Sequence, residues 1–262
     1  METNSDSCLL CFDFDGTFID QAQPERLDPE LTDALQMMRE RGALFAINTS
    51  RSQAQAVAGV NELGLRDIPD YLIAWERELY EPTRFRRWID LGDWNRRSRK
   101  DHRRLFRSHK RLLKAIRAHV HEHSGARWIE EPHEPAGIIA RDEPEMDHLA
   151  EFIDTQIAAA KSQSLAYERN SIYLRFAHAG YNKGTALAEL RTLLGIAAER
   201  TFAIGDNHND LSMLTSGVAS MVACPANTVP DVRDAVSSAG GYVAGKPSGA
   251  GVAEAIGHFF GG

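Results

Sequence analysis

Two aspartates, Asp13 and Asp15, follow an apolar run near the start of this 262-residue chain. The stretch reads CFDFDGTFID, and the residues before the aspartates predict a short buried strand over Leu9–Phe14. Two like charges at the mouth of a buried strand are costly, because they repel each other and lose hydration. Gly16 directly follows them and lets the backbone approach a ligand closely. The pattern indicates a chemical role for the pair.

Three further polar stretches lie at a predicted strand end or helix start. They read NTSR at 48–51, NKG at 182–184 and GDNHND at 205–210. The first and last follow apolar strands directly, whereas Lys183 opens a helix. Because active sites of α/β sheets form at the carboxyl ends of strands, we expect these stretches and residues 13–16 to share one site.

The four aspartates of this expected site, Asp13, Asp15, Asp206 and Asp210, would repel one another in a cleft of low dielectric constant. A hard divalent cation removes that conflict. Mg²⁺ suits a few carboxylates together with a phosphate oxygen and water molecules. The sequence therefore predicts a Mg²⁺ site.

The same residues suit phosphoryl transfer. A carboxylate beside Mg²⁺ and a lysine stays ionised and can attack phosphorus. A second carboxyl group can protonate the leaving oxygen and then take a proton from water. Thr49 and Lys183 would hold the phosphoryl oxygens as the charge shifts.

The elements around these motifs predict an α/β core interrupted by an insertion. Strands and helices alternate over residues 1–81 and again over 182–262, including a helix predicted over 209–217 (NDLSMLTSG). Residues 82–181 instead show hairpin-like spacing with helices, typical of an α+β domain. We expect a Rossmann-like, doubly wound parallel sheet with an inserted α+β cap.

The four motifs in this order resemble those of the haloacid dehalogenase superfamily, within the Cof-type sugar-phosphatase branch with its inserted α/β cap. DFDGT matches the first motif, Thr49 the second, Lys183 of NKGTAL the third and GDNHNDLSML the fourth. The resemblance implies that Asp13 is the nucleophile and Asp15 the acid and base. It covers both core segments, whereas the cap matches only by position and size.

The resemblance also implies the ligands. Mg²⁺ would be held by Asp13, by Asp206 and by the main-chain carbonyl of Asp15. Asp210 would support the metal site or Lys183 without binding the metal directly. The expected substrate and phosphate contacts are Gly16, Thr17, Thr49, Ser50, Arg51, Lys183 and Asn209. The chain departs from the family pattern at Ser50, where glycine is usual, and at Glu76 and Arg77, where an Asn-Gly pair is common.

The expected activity is Mg²⁺-dependent hydrolysis of a small phosphate monoester such as a sugar phosphate. A phosphosugar mutase resembling phosphomannomutase is the first alternative. The second is a nucleic-acid-binding protein that has lost catalysis. The alternatives draw on the basic segment 84–117, which could steer anions, contact nucleic acid or form a solvated surface. The intact catalytic set disfavours nucleic acid as a partner.

Composition limits the class of protein. The chain is 43% hydrophobic and 26% charged, as soluble globular proteins are. It contains no run of eighteen apolar residues, so no membrane span is expected. The N-terminal METNSDS lacks the pattern of a signal peptide, and three cysteines are too few for a disulfide framework. We expect a cytoplasmic monomer or homodimer.

Overall fold

The computed structural model describes residues 7–23, 25–65, 69–85, 87–131 and 134–261. Most of the N-terminal METNSDS stretch and Arg86 of the basic segment lie outside the described residues. No described helix is both long enough and apolar enough to cross a membrane. The chain divides into two compact units, Met1–Asn95 with Lys183–Gly262, and Arg96–Asn182.

Strands and helices alternate along most of the chain. The strands are β1 (Leu9–Phe12), β2 (Leu44–Asn48), β3 (Tyr71–Ala74), β4 (Glu78–Pro82), β5 (Trp88–Asp90), β6 (Arg127–Glu131), β7 (Glu134–Ile139), β8 (Leu165–Asn170), β9 (Tyr173–His178), β10 (Thr201–Ile204), β11 (Met221–Cys224) and β12 (Tyr242–Val243). The helices are α1 (Pro29–Glu40), α2 (Gln53–Glu62), α3 (Trp94–Ser108), α4 (Lys110–His123), α5 (Glu143–Ala159), α6 (Lys183–Leu194), α7 (Pro230–Ser238) and α8 (Ser248–Phe260).

The first unit is built on an eight-stranded sheet in the order β12-β11-β10-β1-β2-β3-β4-β5. Neighbouring strands from β12 to β3 are parallel, whereas β4 and β5 add an antiparallel edge. This arrangement confirms the predicted α/β class with its parallel sheet. The two edge strands also explain why the first unit extends to Asn95, beyond the boundary at residue 82 that the sequence suggests.

Both faces of the large sheet are covered, because successive side chains of a strand point to opposite sides. Leu10 and Phe12 of β1 belong to the apolar cluster that includes residues of α1 and α8. Leu9 and Cys11 belong to the cluster that includes residues of α6 and α7. Since β1 is buried on both faces, its sequence is continuously apolar rather than alternating.

The second unit has a four-stranded antiparallel sheet in the order β6-β7-β9-β8. Its apolar cluster joins the sheet to the helices α4 and α5 and includes Ile116, Ile138, Ile153 and Phe176. A unit with its own core of this kind is an α+β layer structure.

The basic segment lies mainly on the helices α3 and α4. Arg103, Arg107 and Arg111 are exposed, while Leu105 and Ile116 on the same helices are buried. The helical repeat therefore separates a cationic solvent face from an apolar core face. Steering of anions and contact with nucleic acid remain predictions for this face.

The helix predicted over residues 209–217 is wrong. The structure has a single 3-10 turn, His208–Asp210, followed by turns. The Asp210 carboxylate accepts hydrogen bonds from the backbone N–H groups of Asp206 and Asn207, both at 2.9 Å. Local side-chain bonds of this kind compete with helix formation, and the apolar spacing of the segment could not reveal them.

The start of α5 is fixed by the carboxylate of Glu145. Its oxygens accept hydrogen bonds from the backbone N–H groups of Gly125 and Arg141, each at 2.8 Å, and from the Arg141 guanidinium at 2.7 Å. These bonds, chiefly those from Arg141, lower the pKa of Glu145 to about 2. The ionised carboxylate thus joins the loop before β6 to the helix.

We predict that Glu145→Gln destabilises the protein at neutral pH and not near pH 2. A carboxyl group with a lowered pKa in the folded state contributes stability above its unfolded pKa, and the contribution is lost as pH falls through the folded value. Thermal unfolding of wild type and variant between pH 7 and pH 2 checks this. A midpoint difference that stays constant over this range would contradict the assignment.

Candidate active site

The sheet register brings the predicted polar stretches to one edge. Phe12 at the end of β1 pairs with Ile204 of β10 on one side and with Ile47 of β2 on the other. The backbone N–H of Asp13 continues the first ladder by donating to the carbonyl of Ile204 at 3.0 Å. The loops after the three parallel strands therefore begin side by side, which is where α/β sheets bind ligands.

A fully buried lysine joins two of these loops. The Lys183 Nζ donates to Oδ1 of Asp13 and, at 2.6 Å, to Oδ1 of Asp210. Burial opposes the charged ammonium, but attraction to Asp13, Asp210 and Glu76 outweighs it and holds the pKa of Lys183 above its usual value. Lys183 is therefore a permanent cation within the site.

Three buried carboxylates crowd around this lysine. Each of Asp13, Asp206 and Asp210 offers an oxygen, and these oxygens lie within 4.8 Å of one another. Burial, with a further contribution from Asp210, raises the pKa of Asp206 to about 6, and burial also raises the pKa of Asp13. Negative charge exceeds the single ammonium here, and the all-oxygen donor set fits a hard divalent cation.

Asp210 is already committed to other partners. Its Oδ1 accepts from Lys183, while its Oδ2 accepts from two backbone N–H groups of its own loop. A Cβ on Gly205 would lie only 2.3 Å from Asp210 Cγ, so this loop needs glycine there. Asp210 is thus placed to shape the loop and hold Lys183. Asp13 and Asp206 are therefore the better candidates to give carboxylate oxygens to a cation.

Gly16 and Thr17 fit closely against Asp206. Gly16 adopts a left-handed conformation at φ 87°, and a Cβ there would lie 2.7 Å from Asp206 Oδ2. The hydroxyl of Thr17 donates to Asp206 Oδ1 at 2.6 Å. The turn after Asp15 therefore orients the carboxylate of Asp206.

The side chain of Arg51 binds Asp15. Its Nε and one terminal nitrogen donate to the two carboxylate oxygens at 2.8 Å and 2.6 Å. The guanidinium also lies over the ring of Phe14, 4.8 Å from its centroid. Arg51 thus pairs with the predicted acid and base, and its contact with phosphate stays a prediction.

The second motif is held by its backbone. Thr49 is buried, its N–H donates to Ile73, and its carbonyl accepts from Glu76 at 2.9 Å. Its hydroxyl oxygen accepts from the N–H of Arg51 at 3.1 Å. Ser50, between these two residues, is half-buried.

Several residues of the site were not predicted from the sequence. Glu76 is buried and accepts a hydrogen bond at 2.6 Å from Nδ2 of Asn209. The Asn227 amide and the Ser248 hydroxyl both donate to the carbonyl of Gly16, at 2.8 Å and 3.1 Å. The sequence signal for Glu76 was the departure from the family pattern at that position.

Most of this chain matches the model of one protein family. A family model for haloacid dehalogenase-like hydrolases matches residues 10–75 and 107–256. The chain belongs to this family. The membership confirms the resemblance read from the four motifs.

Solved structures share the whole fold at low sequence identity. The sucrose-phosphatase from Synechocystis sp., solved with sucrose and phosphate, superposes with a TM-score of 0.72 at 19% identity, over 96% of this chain and 97% of that chain. A haloacid dehalogenase-like hydrolase from Bacteroides thetaiotaomicron superposes with a TM-score of 0.63 at 18% identity, over 97% and 100% of the two chains.

Curated relatives match one part of the chain. A phosphoglycolate phosphatase from Methanothermobacter thermautotrophicus is 38% identical over 80 residues, which are 30% of this chain and 34% of that enzyme. A second, from Methanothrix thermoacetophila, is 38% identical over 79 residues, which are 30% of this chain and 33% of that enzyme. The match thus spans about a third of each relative.

We predict that Lys183→Met lowers the free energy of unfolding by about 3–5 kcal/mol in the absence of divalent cations, because it leaves buried carboxylates without their cation. The matched control is Lys246→Met, which removes an exposed ion pair with Glu30. Exposed pairs contribute about 0–1 kcal/mol. Urea unfolding measures both, and equal losses in the two variants would contradict a structural role for Lys183.

Proposed function

We propose that this protein is a phosphatase that hydrolyses a small phosphate monoester through an aspartyl-phosphate on Asp13. The observation that carries the proposal is the contact of the Asp13 carboxylate with Lys183 inside a buried acidic cluster. The ammonium opposes the rise that burial causes in the pKa of Asp13, and the ammonium and the Thr49 hydroxyl can draw phosphoryl oxygens towards the carboxylate.

In the first step, a carboxylate oxygen of Asp13 forms a bond to phosphorus on the side opposite the ester oxygen. The bond between phosphorus and the ester oxygen breaks, and the protonated carboxyl of Asp15 gives its proton to the departing oxygen. The products are an alcohol and an aspartyl-phosphate, with Asp15 ionised.

In the second step, Asp15 takes a proton from water while the water oxygen bonds to phosphorus. The bond between Asp13 and phosphorus breaks, which frees inorganic phosphate and restores the carboxylate of Asp13. Asp15 is again protonated, so the cycle closes.

The ion pair between Arg51 and Asp15 bears on both steps, because the guanidinium occupies both carboxylate oxygens of Asp15 through two hydrogen bonds. Protonation of the leaving oxygen therefore requires Arg51 to release at least one Asp15 oxygen when substrate binds.

The cofactor in this proposal is Mg²⁺, which Asp13, Asp206 and the carbonyl of Asp15 would hold. Asp210 would support these ligands by holding Lys183 and its own loop. When bound it would neutralise the excess negative charge of the cluster and withdraw charge from the phosphoryl group. The closely spaced, buried oxygens support a hard divalent cation.

The proposed substrate is a phosphorylated sugar or a comparable small metabolite. Support comes from the activities of similar proteins, a sucrose-phosphatase and two phosphoglycolate phosphatases. Their substrates differ, so the chemical class is the most that these similarities support. A cytoplasmic location and a monomeric or dimeric state remain predictions.

We predict that wild type with Mg²⁺ releases phosphate from members of a panel of phosphorylated metabolites, and that Asp13→Asn lowers this release at least about 10³-fold. The amide is a poor nucleophile of nearly the same shape, so the fold should persist. Asp33→Asn on the exposed face of α1 is the matched control and should retain full activity.

Chelation with EDTA should abolish release by wild type, and added Mg²⁺ should restore it. Near-wild-type activity of Asp13→Asn would refute the mechanism. Conversion between sugar-phosphate isomers, without release of phosphate, would instead favour the mutase alternative.

A further inference from the structure

We propose that Glu76 is a positioning residue of the phosphate site, which acts by fixing the side-chain amide of Asn209. This inference rests on the proposed function and deepens it. It assigns a role to a position at which the chain departs from its family pattern.

The backbone at Glu76 is strained. Trp75 and Glu76 have φ values of 53° and 60°, in the left-handed region that favours glycine. Their N–H groups donate to the carbonyls of Arg51 and Thr49, both at 2.9 Å, so this turn is bound to the second motif. A glycine would adopt the same turn with little strain, and non-glycine residues in such conformations concentrate at functional sites.

The Glu76 carboxylate is buried beside the site. Glu76 is 2% exposed and Asn209 is 3% exposed. The Glu76 carboxylate accepts a hydrogen bond from Nδ2 of Asn209 at 2.6 Å. Its charge also attracts the buried ammonium of Lys183. A buried carboxylate is costly unless it is paired, so these contacts are what allow glutamate here.

The contact decides how the Asn209 amide is presented. An asparagine amide offers donors at one end and acceptors at the other. Because Glu76 accepts only, Nδ2 faces it and Oδ1 faces away. Oδ1 is buried and accepts no hydrogen bond from the described residues. The Oδ1 of Asn209 is therefore prepared to receive a donor, such as a substrate hydroxyl or an ordered water.

Three substitutions separate the contributions of Glu76. Glu76→Gly removes the side chain and relieves the backbone, Glu76→Ala removes the side chain and keeps the strain, and Glu76→Gln keeps an oxygen acceptor without the charge. Lys161→Gly is the matched control, since Lys161 is exposed and has a φ of 51° in the second unit.

We expect Lys161→Gly to raise the unfolding midpoint, by about 2–4 °C for relieved strain near 1 kcal/mol, and Glu76→Gly to raise it less, because Glu76→Gly also loses the buried contact with Asn209. Only Glu76→Gly should lose activity, with kcat at least about tenfold lower and KM changed less than threefold, because Asn209 acts on the transferring group. Glu76→Ala should lose as much activity, and Glu76→Gln should retain most of it. Wild-type kcat in Glu76→Gly would overturn the proposal.

A second measurement does not depend on turnover. The side-chain amide signals of Asn209, assigned with Asn209→Asp, should be sharp in the ¹⁵N spectrum of wild type and Glu76→Gln. They should shift and broaden in Glu76→Gly. Unchanged signals would refute the contact. If wild type released no phosphate from any compound, the proposed function would fail, and these signals would still decide whether Glu76 fixes Asn209.

Discussion

The buried ammonium of Lys183 is the interaction on which the site depends. It joins the end of β1, through Asp13, to the loop after β10, through Asp210, and it stands at the first residue of α6. Desolvation of these groups is expensive, and only their mutual attraction makes the arrangement tolerable. The same charge opposes the rise that burial causes in the pKa of Asp13, so a stabilising contact and a chemical requirement coincide.

The loops around this lysine leave little space for other residues. Gly16 and Gly205 lie where a Cβ would collide with Asp206 and Asp210, respectively. Backbone N–H groups bind the Asp210 carboxylate, and the Thr17 hydroxyl binds Asp206. Carboxylates that would otherwise separate are thereby held close together, which prepares the cluster for a cation before any ligand arrives.

Two further side-chain contacts refine the site. Arg51 binds both carboxylate oxygens of Asp15, and Glu76 fixes the orientation of the Asn209 amide. Arg51 and Glu76 belong to neighbouring segments, the second motif and the turn after β3. That turn is bound to Thr49 and Arg51 through backbone hydrogen bonds. Glu76 makes its contact with Asn209 from a strained backbone conformation.

The sequence by itself determined the α/β class, the inserted α+β segment and the four motifs at strand ends or helix starts. Strands buried on both faces are continuously apolar, and such local patterns survive without tertiary information. Only the tertiary structure decided that β4 and β5 join the large sheet, that Arg51 pairs with Asp15, and that Glu76 reaches Asn209, 133 residues along the chain. The physical reason is that edge pairing and side-chain contacts depend on directions and distances between remote segments, which have no periodic signature in the sequence.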